Sequence, residues 1–221
     1  MLFRSNGVAV NNFQAAVTNG SSISKWPDLQ NVAGDSNVNG GSGKNPTYTI
    51  PIQNGLGSVT YASASQNNLD INPITFATNQ TGFTIYVCAR PTSLPGTQFP
   101  LVATDQSMGI FWNGTNWTCG VTTSYYGTVT VTNDTSKFHI YGMVFTGGSS
   151  VNFRYDKSTK TLSYTGSAPA NTGSQSYMYF GGDNRSGGAG GALSSTYMNG
   201  YIGEVMIWQR ALSSAEQGSV E

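Results

Sequence analysis

Met198-Asn-Gly-Tyr-Ile-Gly-Glu-Val-Met-Ile-Trp-Gln-Arg-Ala-Leu-Ser-Ser-Ala-Glu216 passes from an aromatic and branched run into a short polar segment near the end of the chain. Tyr201 to Trp208 is rich in aromatic and branched residues and reads as a β-strand. A charged turn follows at Gln209-Arg210. Ser213 then stands three residues ahead of Glu216. That is the pattern of a capping box, in which each side chain bonds the other's backbone N–H at a helix start. The segment predicts a long strand running into a short C-terminal helical turn.

Upstream, helical periodicity is almost absent, and short alternating runs are separated by Gly, Asn, Ser and Pro clusters. Gly82 to Arg90 is the clearest strand. Phe83, Ile85, Val87 and Ala89 face one way, Thr84, Tyr86, Cys88 and Arg90 the other, and Pro91 ends it. Lys137 to Thr146 is apolar on both faces, which predicts a central strand covered on both sides. Gly147 to Ser150 is a hairpin turn into Val151 to Asp156, where Val151, Phe153 and Tyr155 point inward. Asp156 to Lys160 reads as the next turn. Further strands are expected at Tyr48 to Ile52, Ser58 to Tyr61, Phe99 to Thr104, Met108 to Trp112, Trp117 to Thr122, Gly127 to Thr132 and Tyr177 to Gly181. About a dozen strands fit two stacked antiparallel sheets. Val32 to Asn45 and Gly182 to Ser195 read as loops. Core-like strands lie on both sides of each, so residues 1–221 are read as one domain.

The composition narrows the function. Ten Lys and Arg balance ten Asp and Glu, and charged residues make up only 9% of the chain. Such a chain lacks the basic footprint of a nucleic-acid binder. No apolar run reaches eighteen residues, so no membrane insertion is expected. Polarity comes from Asn, Ser, Thr and Gly, while aromatics at 12% supply a core. Six Asn-x-Ser/Thr sequons are no more than this composition produces by chance. Cys88 and Cys119 suit either a disulfide or a pair of buried thiols. The N-terminus lacks a secretory signal, which leaves a mature fragment, a module of a longer chain or a virion protein.

Four motifs in order resemble the laminin-G-like and concanavalin A-like family. They are Ser24-Lys-Trp-Pro-Asp28; Gly57-Ser-Val-Thr-Tyr61 followed by Asn68-Leu-Asp-Ile71; Phe83-Thr-Ile-Tyr-Val87 with Arg90-Pro91; and the C-terminal stretch quoted above. Ala62 and Ser63 depart from the Asp-Gly that the family often has in its Phe-Asp-Gly turn. The resemblance implies an all-β antiparallel sandwich, a jelly roll of two stacked sheets closed by a short helical turn. The family pattern continues past where this chain stops, at Glu221, which implies a segment or end-trimmed module. The resemblance also implies a calcium ion at a loop edge. Asp183 and Asn184 in the Gly-rich loop, with Asp28 and Asp35 as a second cluster, are the candidate ligands.

Jelly-roll relatives include glycoside hydrolases and lyases, whose hydrolysis needs two carboxylates at a fixed separation. No two of the ten acids share a strand at i, i+2 or i, i+4, so a non-enzyme is expected. Glu204, alone inside a strong strand, is read as a partly buried carboxylate accepting hydrogen bonds, with Arg90 or Arg210 as partner, in preference to a cleft acid. His139, the only histidine, is read as structural. Sugar binding needs aromatic faces beside amides and hydroxyls. Trp112, Asn113, Asn116 and Trp117, extended by Tyr125 and Tyr126 in the next turn, are the candidate ligand residues. The alternative is that both tryptophans pack on the sheet and anchor the hairpin.

The expectation is a non-catalytic module attaching to cell-surface glycans, on a phage virion (tail fibre, spike or capsid appendage) or an extracellular protein. A purely structural virion or surface domain, assembling through other virion or surface proteins, is the alternative. A polysaccharide-degrading enzyme is the third reading.

Overall fold

The computed structural model describes residues 2–5, 19–22, 25–27, 37–40, 45–53, 56–71, 74, 76–104, 108–122, 124–183 and 196–221. The described strands begin with β1 (Leu2–Ser5), β2 (Lys25–Pro27), β3 (Asn37–Gly40), β4 (Thr47–Gln53), β5 (Leu56–Tyr61) and β6 (Leu69–Ile71). β7 (Gly82–Pro91), β8 (Phe99–Thr104), β9 (Gly109–Trp112), β10 (Trp117–Thr122), β11 (Tyr125–Val129), β12 (His139–Thr146) and β13 (Ser150–Tyr155) form the middle of the chain. β14 (Ser158–Lys160), β15 (Ser163–Thr165), β16 (Met178–Phe180), β17 (Gly182–Asp183), β18 (Thr196–Tyr197) and β19 (Gly200–Trp208) follow, and helix α1 (Ser214–Val220) closes the chain.

Two sheets stack into the expected antiparallel jelly-roll sandwich. One runs β14-β13-β12-β7-β19-β5-β4, the other β15-β11-β10-β9-β8-β16-β6-β3-β2. The only parallel pairing among the described strands is β1 beside β19. Alternation puts Phe83, Ile85, Val87 and Ala89 of β7 into the core between the sheets. There they meet Tyr141, Met143 and Phe145 of β12 and Val151 and Phe153 of β13. Cys119 lies in the same core and Cys88 is partly buried. Both are free thiols, and burial raises both pKa values, Cys88 to about 11 with help from Glu204 and Asp156, so neither is a thiolate at neutral pH.

The far face of β7 carries Tyr86, whose ring lies edge-on to Trp208 at 6.1 Å and packs with Leu212 just ahead of α1. Gly142 of β12 makes room for it, since a Cβ there would sit 2.5 Å from the Tyr86 ring. This explains why β12 reads as apolar on both faces: one face meets the other sheet, the other the C-terminal segment and the Tyr86 ring. α1 starts on the expected capping box. The Ser213 hydroxyl accepts from the Glu216 N–H at 3.4 Å, and the Glu216 carboxylate accepts from the Ser213 N–H at 2.8 Å. Arg210 adds a two-pronged pair to Glu216 at 2.9 and 2.7 Å.

Arg210 first, then Ser213, hold the Glu216 carboxyl at about 2, below its ordinary 4.5. A depressed carboxylate stabilises the folded state above its unfolded value and loses that contribution as pH falls through the folded one. The cap of α1 is therefore expected to loosen between about pH 4.5 and 2. Hydrogen exchange of residues 213–221 across that range checks this. In Glu216→Gln the added exchange on acidification should be absent, and an unchanged acid profile in that variant overturns the assignment.

The structure corrects the sequence reading at several turns. Tyr125 and Tyr126 are strand residues, because the Thr122 hydroxyl accepts from the Ser124 and Tyr125 N–H groups and places the turn earlier. Asp156 and Lys157 alone, both at positive φ, make a two-residue hairpin turn, and Ser158–Lys160 is already strand β14. β3 falls inside the stretch read as a loop from 32 to 45.

Candidate functional site

Strand register decides which loops share an end of the sandwich. Pro91 of β7 lies opposite Gly200 of β19, and His139 of β12 lies opposite Ala89. In the other sheet Phe99, Trp112, Trp117 and Val129 line up across β8, β9, β10 and β11. Trp117 meets Tyr141 at 4.6 Å across the core, the rings tilted by 50°, which puts the two ends together. Segments 92–98, 113–116 and 130–138 and Asn199 therefore crowd one end. The β17–β18 hairpin starts from the same end, since the Gly181 N–H bonds the Leu101 carbonyl near the start of β8.

Contacts tie these loops to one another. The Trp112 indole N–H donates to the Pro95 carbonyl at 2.7 Å, and the Trp117 indole N–H to the Asn133 side chain at 2.8 Å. Thr130 donates to the Asn116 side-chain oxygen at 2.8 Å. The Asn113 side-chain oxygen accepts from the Thr115 and Asn116 N–H groups and shapes the hairpin. The Asn199 side chain reaches the Ser63 N–H and the Ser93 hydroxyl. Asn113, Thr115, Asn133 and Ser136 are exposed, so the end presents amides and hydroxyls.

The aromatic part of the predicted site changes. Trp112 is 5% and Trp117 1% exposed, and both rings belong to the core, edge-on to each other at 5.6 Å. A ring packed on both faces cannot stack on a sugar, so both tryptophans are hairpin anchors. Tyr125 and Tyr126 begin β11, four residues or roughly 13 Å along the strand from the tryptophan end. They do not extend the tryptophan hairpin. Tyr125 instead stacks at 5.7 Å under Tyr164, the one exposed large hydrophobic among the described residues at 46%. The Tyr164 hydroxyl donates to the Val151 carbonyl.

The tryptophan end has a different aromatic group. Phe138 and Tyr201 lie 6.3 Å apart, and Arg90 places its guanidinium carbon 4.4 Å from the Tyr201 ring centre and 5.6 Å from that of Phe138. All three are partly buried. The sequence signal was weak: Arg90 closes a strong strand before Pro91, and Phe138 opens the next. Gly200, at φ +146°, lets β19 begin here, since a Cβ would meet the Arg90 carbonyl at 2.3 Å.

The described acids are engaged elsewhere. Asp134 bonds the Ser136 N–H and hydroxyl and Lys137, which hold its pKa at about 2. Asp156 holds the Ile140 N–H and His139 Nδ1, while His139 Nε2 bonds the Asp134 carbonyl. His139, stacked on Tyr155 at 4.8 Å, has both ring nitrogens occupied, which is the structural role expected for it. Arg210 pairs with Glu216 and not with Glu204, and Glu204 sits on a bulge opposite Cys88. Of the expected calcium ligands, Asp28, Asp35 and Asn184 lie outside the described residues, and Asp183 is described only through its backbone pairing with Thr196. Among the described residues no three His, Cys, Asp or Glu side chains converge, and no helix is long and apolar enough to cross a membrane.

A laminin G-type family model, described as the concanavalin A-like lectin/glucanases superfamily, matches residues 63–216. No curated protein matches the sequence. Among solved structures, the binding domain of a botulinum neurotoxin of serotype D/C aligns at TM-score 0.54 and 10% identity, over 90% of this chain and 51% of that one. A Trypanosoma rangeli sialidase, solved with a difluorosialic acid, aligns at 0.55 and 14% identity, over 92% of this chain and 32% of that one. Domain 4 of an extracellular arabinanase from Geobacillus stearothermophilus, solved with arabinotriose, aligns at 0.54 and 10% identity, over 79% and 80%. At such identities the likeness is one of fold. The chain spans about half the length of the neurotoxin domain and about a third of the sialidase.

Proposed function

This chain belongs to the concanavalin A-like lectin/glucanases superfamily, and we propose that within it the chain acts as a non-catalytic glycan-recognition module. The observation that carries this reading is the loop end of the sandwich. There the exposed amides and hydroxyls of Asn113, Thr115, Asn133 and Ser136 share an end of the sandwich with the partly buried ring pair of Phe138 and Tyr201, which Arg90 links to the Ser136 carbonyl. Sugars are held by that combination: apolar ring faces for the C–H surface, and neutral donors and acceptors for the hydroxyls. Sandwiches of this shape occur in the binding domain of a neurotoxin and in an arabinanase domain solved with arabinotriose, which supports the reading. The engagement of Asp134, Asp156, Glu216 and Glu221 in structural contacts supports recognition over hydrolysis, which needs two available carboxylates. The charge-poor, Asn- and Thr-rich composition supports placing the module on a virion surface or an extracellular protein, where it attaches to cell-surface glycans. Sequencing the flanking genes checks the setting: capsid or tail genes would support the virion, a secreted carbohydrate-active operon the extracellular protein.

The test is a glycan array followed by calorimetry. Binding is expected at the loop end, with Tyr201→Ala weakening it about tenfold or more, the size of an anchor residue, and Tyr164→Ala at the far end leaving it unchanged. Loss in Tyr164→Ala alone moves the site to the Tyr125–Tyr164 stack. No binding to any glycan at millimolar concentration overturns recognition in favour of a structural domain. Release of reducing sugar from a polysaccharide establishes the enzymatic reading instead.

A further inference from the structure

We infer that Arg90, bracketed by Phe138 and Tyr201, is a subsite for a carboxylate on an acidic sugar; this rests on the glycan-recognition reading above. The arginines with described side chains differ in how their charge is met. Arg154 donates from Nε and Nη2 to the two Glu221 oxygens, at 2.6 Å each. Arg210 grips both oxygens of Glu216. Arg90 has no carboxylate partner among the described residues. Its Nη1 makes one long bond, 3.4 Å, to the Ser136 carbonyl, and its Nε is buried with no hydrogen-bond partner.

A buried guanidinium N–H without an acceptor is costly, and ring faces compensate the charge without using the donors. The contacts with Tyr201 and Phe138 thus meet the charge while leaving the Nη groups, apart from the one long Nη1 bond to Ser136, without an acceptor among the described residues. A planar fork of that kind matches a carboxylate through two parallel bonds, which a lysine cannot do.

The surrounding charges are compatible with an anion there. Asp134, on the segment that supplies Ser136, is held by Ser136 and Lys137. Glu204 shares the outer face but stands opposite Cys88, one pleat repeat further along β7 than the Arg90–Tyr201 pair, and has interactions of its own. Phe138 leans over Gly203, the extra residue of the β19 bulge, where an added Cβ would lie 3.6 Å from its ring.

The experiment compares sialyllactose and a glucuronate-terminated oligosaccharide with the same two sugars after reduction of the carboxyl to an alcohol, by calorimetry on the full chain. The intact protein should prefer at least one carboxylated sugar over its reduced form by tenfold or more, and the member preferred identifies the source of the carboxylate. Arg90→Gln should abolish the preference, so that the carboxylated and reduced forms bind alike. Arg90→Lys, which keeps the charge and the ring contact, should restore only part of it and controls for folding through an unchanged melting temperature. Equal binding of the carboxylated and reduced forms, or a preference that survives Arg90→Gln, overturns the inference and leaves glycan recognition standing. Failure of all four sugars and of the neutral array overturns both.

Discussion

Trp117→Ala is expected to lower the unfolding free energy by about 3–5 kcal/mol, the range for deleting a fully buried large aromatic. The ring is 1% exposed and is walled in on several sides. Phe99 meets it edge-on at 6.0 Å, Trp112 at 5.6 Å and Tyr141 at 4.6 Å, so truncation removes contacts from both sheets at once. It also strands the Asn133 side-chain oxygen, which accepts the indole N–H at 2.8 Å. Asn133 belongs to the 130–138 segment, so the loss should reach the proposed site through a loosened loop. Urea unfolding measures the effect, and Trp117→Phe should recover a good part of it by refilling the volume without the N–H donor. The competing role for this residue, a sugar platform, makes the opposite prediction: binding lost and stability kept. A stability change under about 1 kcal/mol together with abolished glycan binding would return Trp117 to the ligand site.

What the sequence reveals follows from where side-chain pattern and burial coincide. β7, β12 and β13 are legible because their inward residues are large and apolar and their turns are bounded by Gly or Pro. The cap at Ser213 is legible because its chemistry is local, four residues closing on themselves. β14 and β15 leave no such trace. Each is three residues long and largely exposed at a sheet edge, so nothing in Ser158–Lys160 or Ser163–Thr165 alternates between core and solvent. The site was legible only in part for a related reason. Asn113 and Asn116 follow from a polar turn between two strands, and they do lie at the loop end. Whether the flanking tryptophans face sugar or core depends on the opposing sheet, and Tyr141 settles it from a strand more than twenty residues away. Arg90, Phe138 and Tyr201 are brought together by the β7–β19 register and the bulge at Gly203, long-range pairings that no local spacing encodes.

The second large effect concerns the clamp between the C-terminal segment and the outer face of the β14-to-β4 sheet. Arg154 points outward from β13, which its alternation with Val151, Phe153 and Tyr155 requires, yet its side chain is only 11% exposed and that of Glu221 1%. Two bonds of 2.6 Å join them, and Thr159 and the Lys157 carbonyl take further guanidinium donors. The Glu221 bonds raise the Arg154 pKa further, so the guanidinium stays charged. Removing one partner of a buried pair leaves the other charge desolvated and uncompensated, which costs about 3–5 kcal/mol, whereas replacing both by apolar residues of similar volume is close to neutral. Glu221→Ala should therefore destabilise strongly, and Arg154→Met with Glu221→Leu should recover most of the loss, by urea unfolding of the single and double variants. The Arg210–Glu216 pair supplies the contrast: it too is two-pronged, through Nη1 and Nη2, but both side chains are about half exposed, so its removal should cost far less. If Glu221→Ala proves no worse than Glu216→Ala, α1 is held by Tyr86, Trp208 and Leu212 alone and the buried pair is dispensable. If it proves much worse, the ion pair is what keeps the aromatic seam over Gly142 closed, on the same outer face of β7 that carries Arg90.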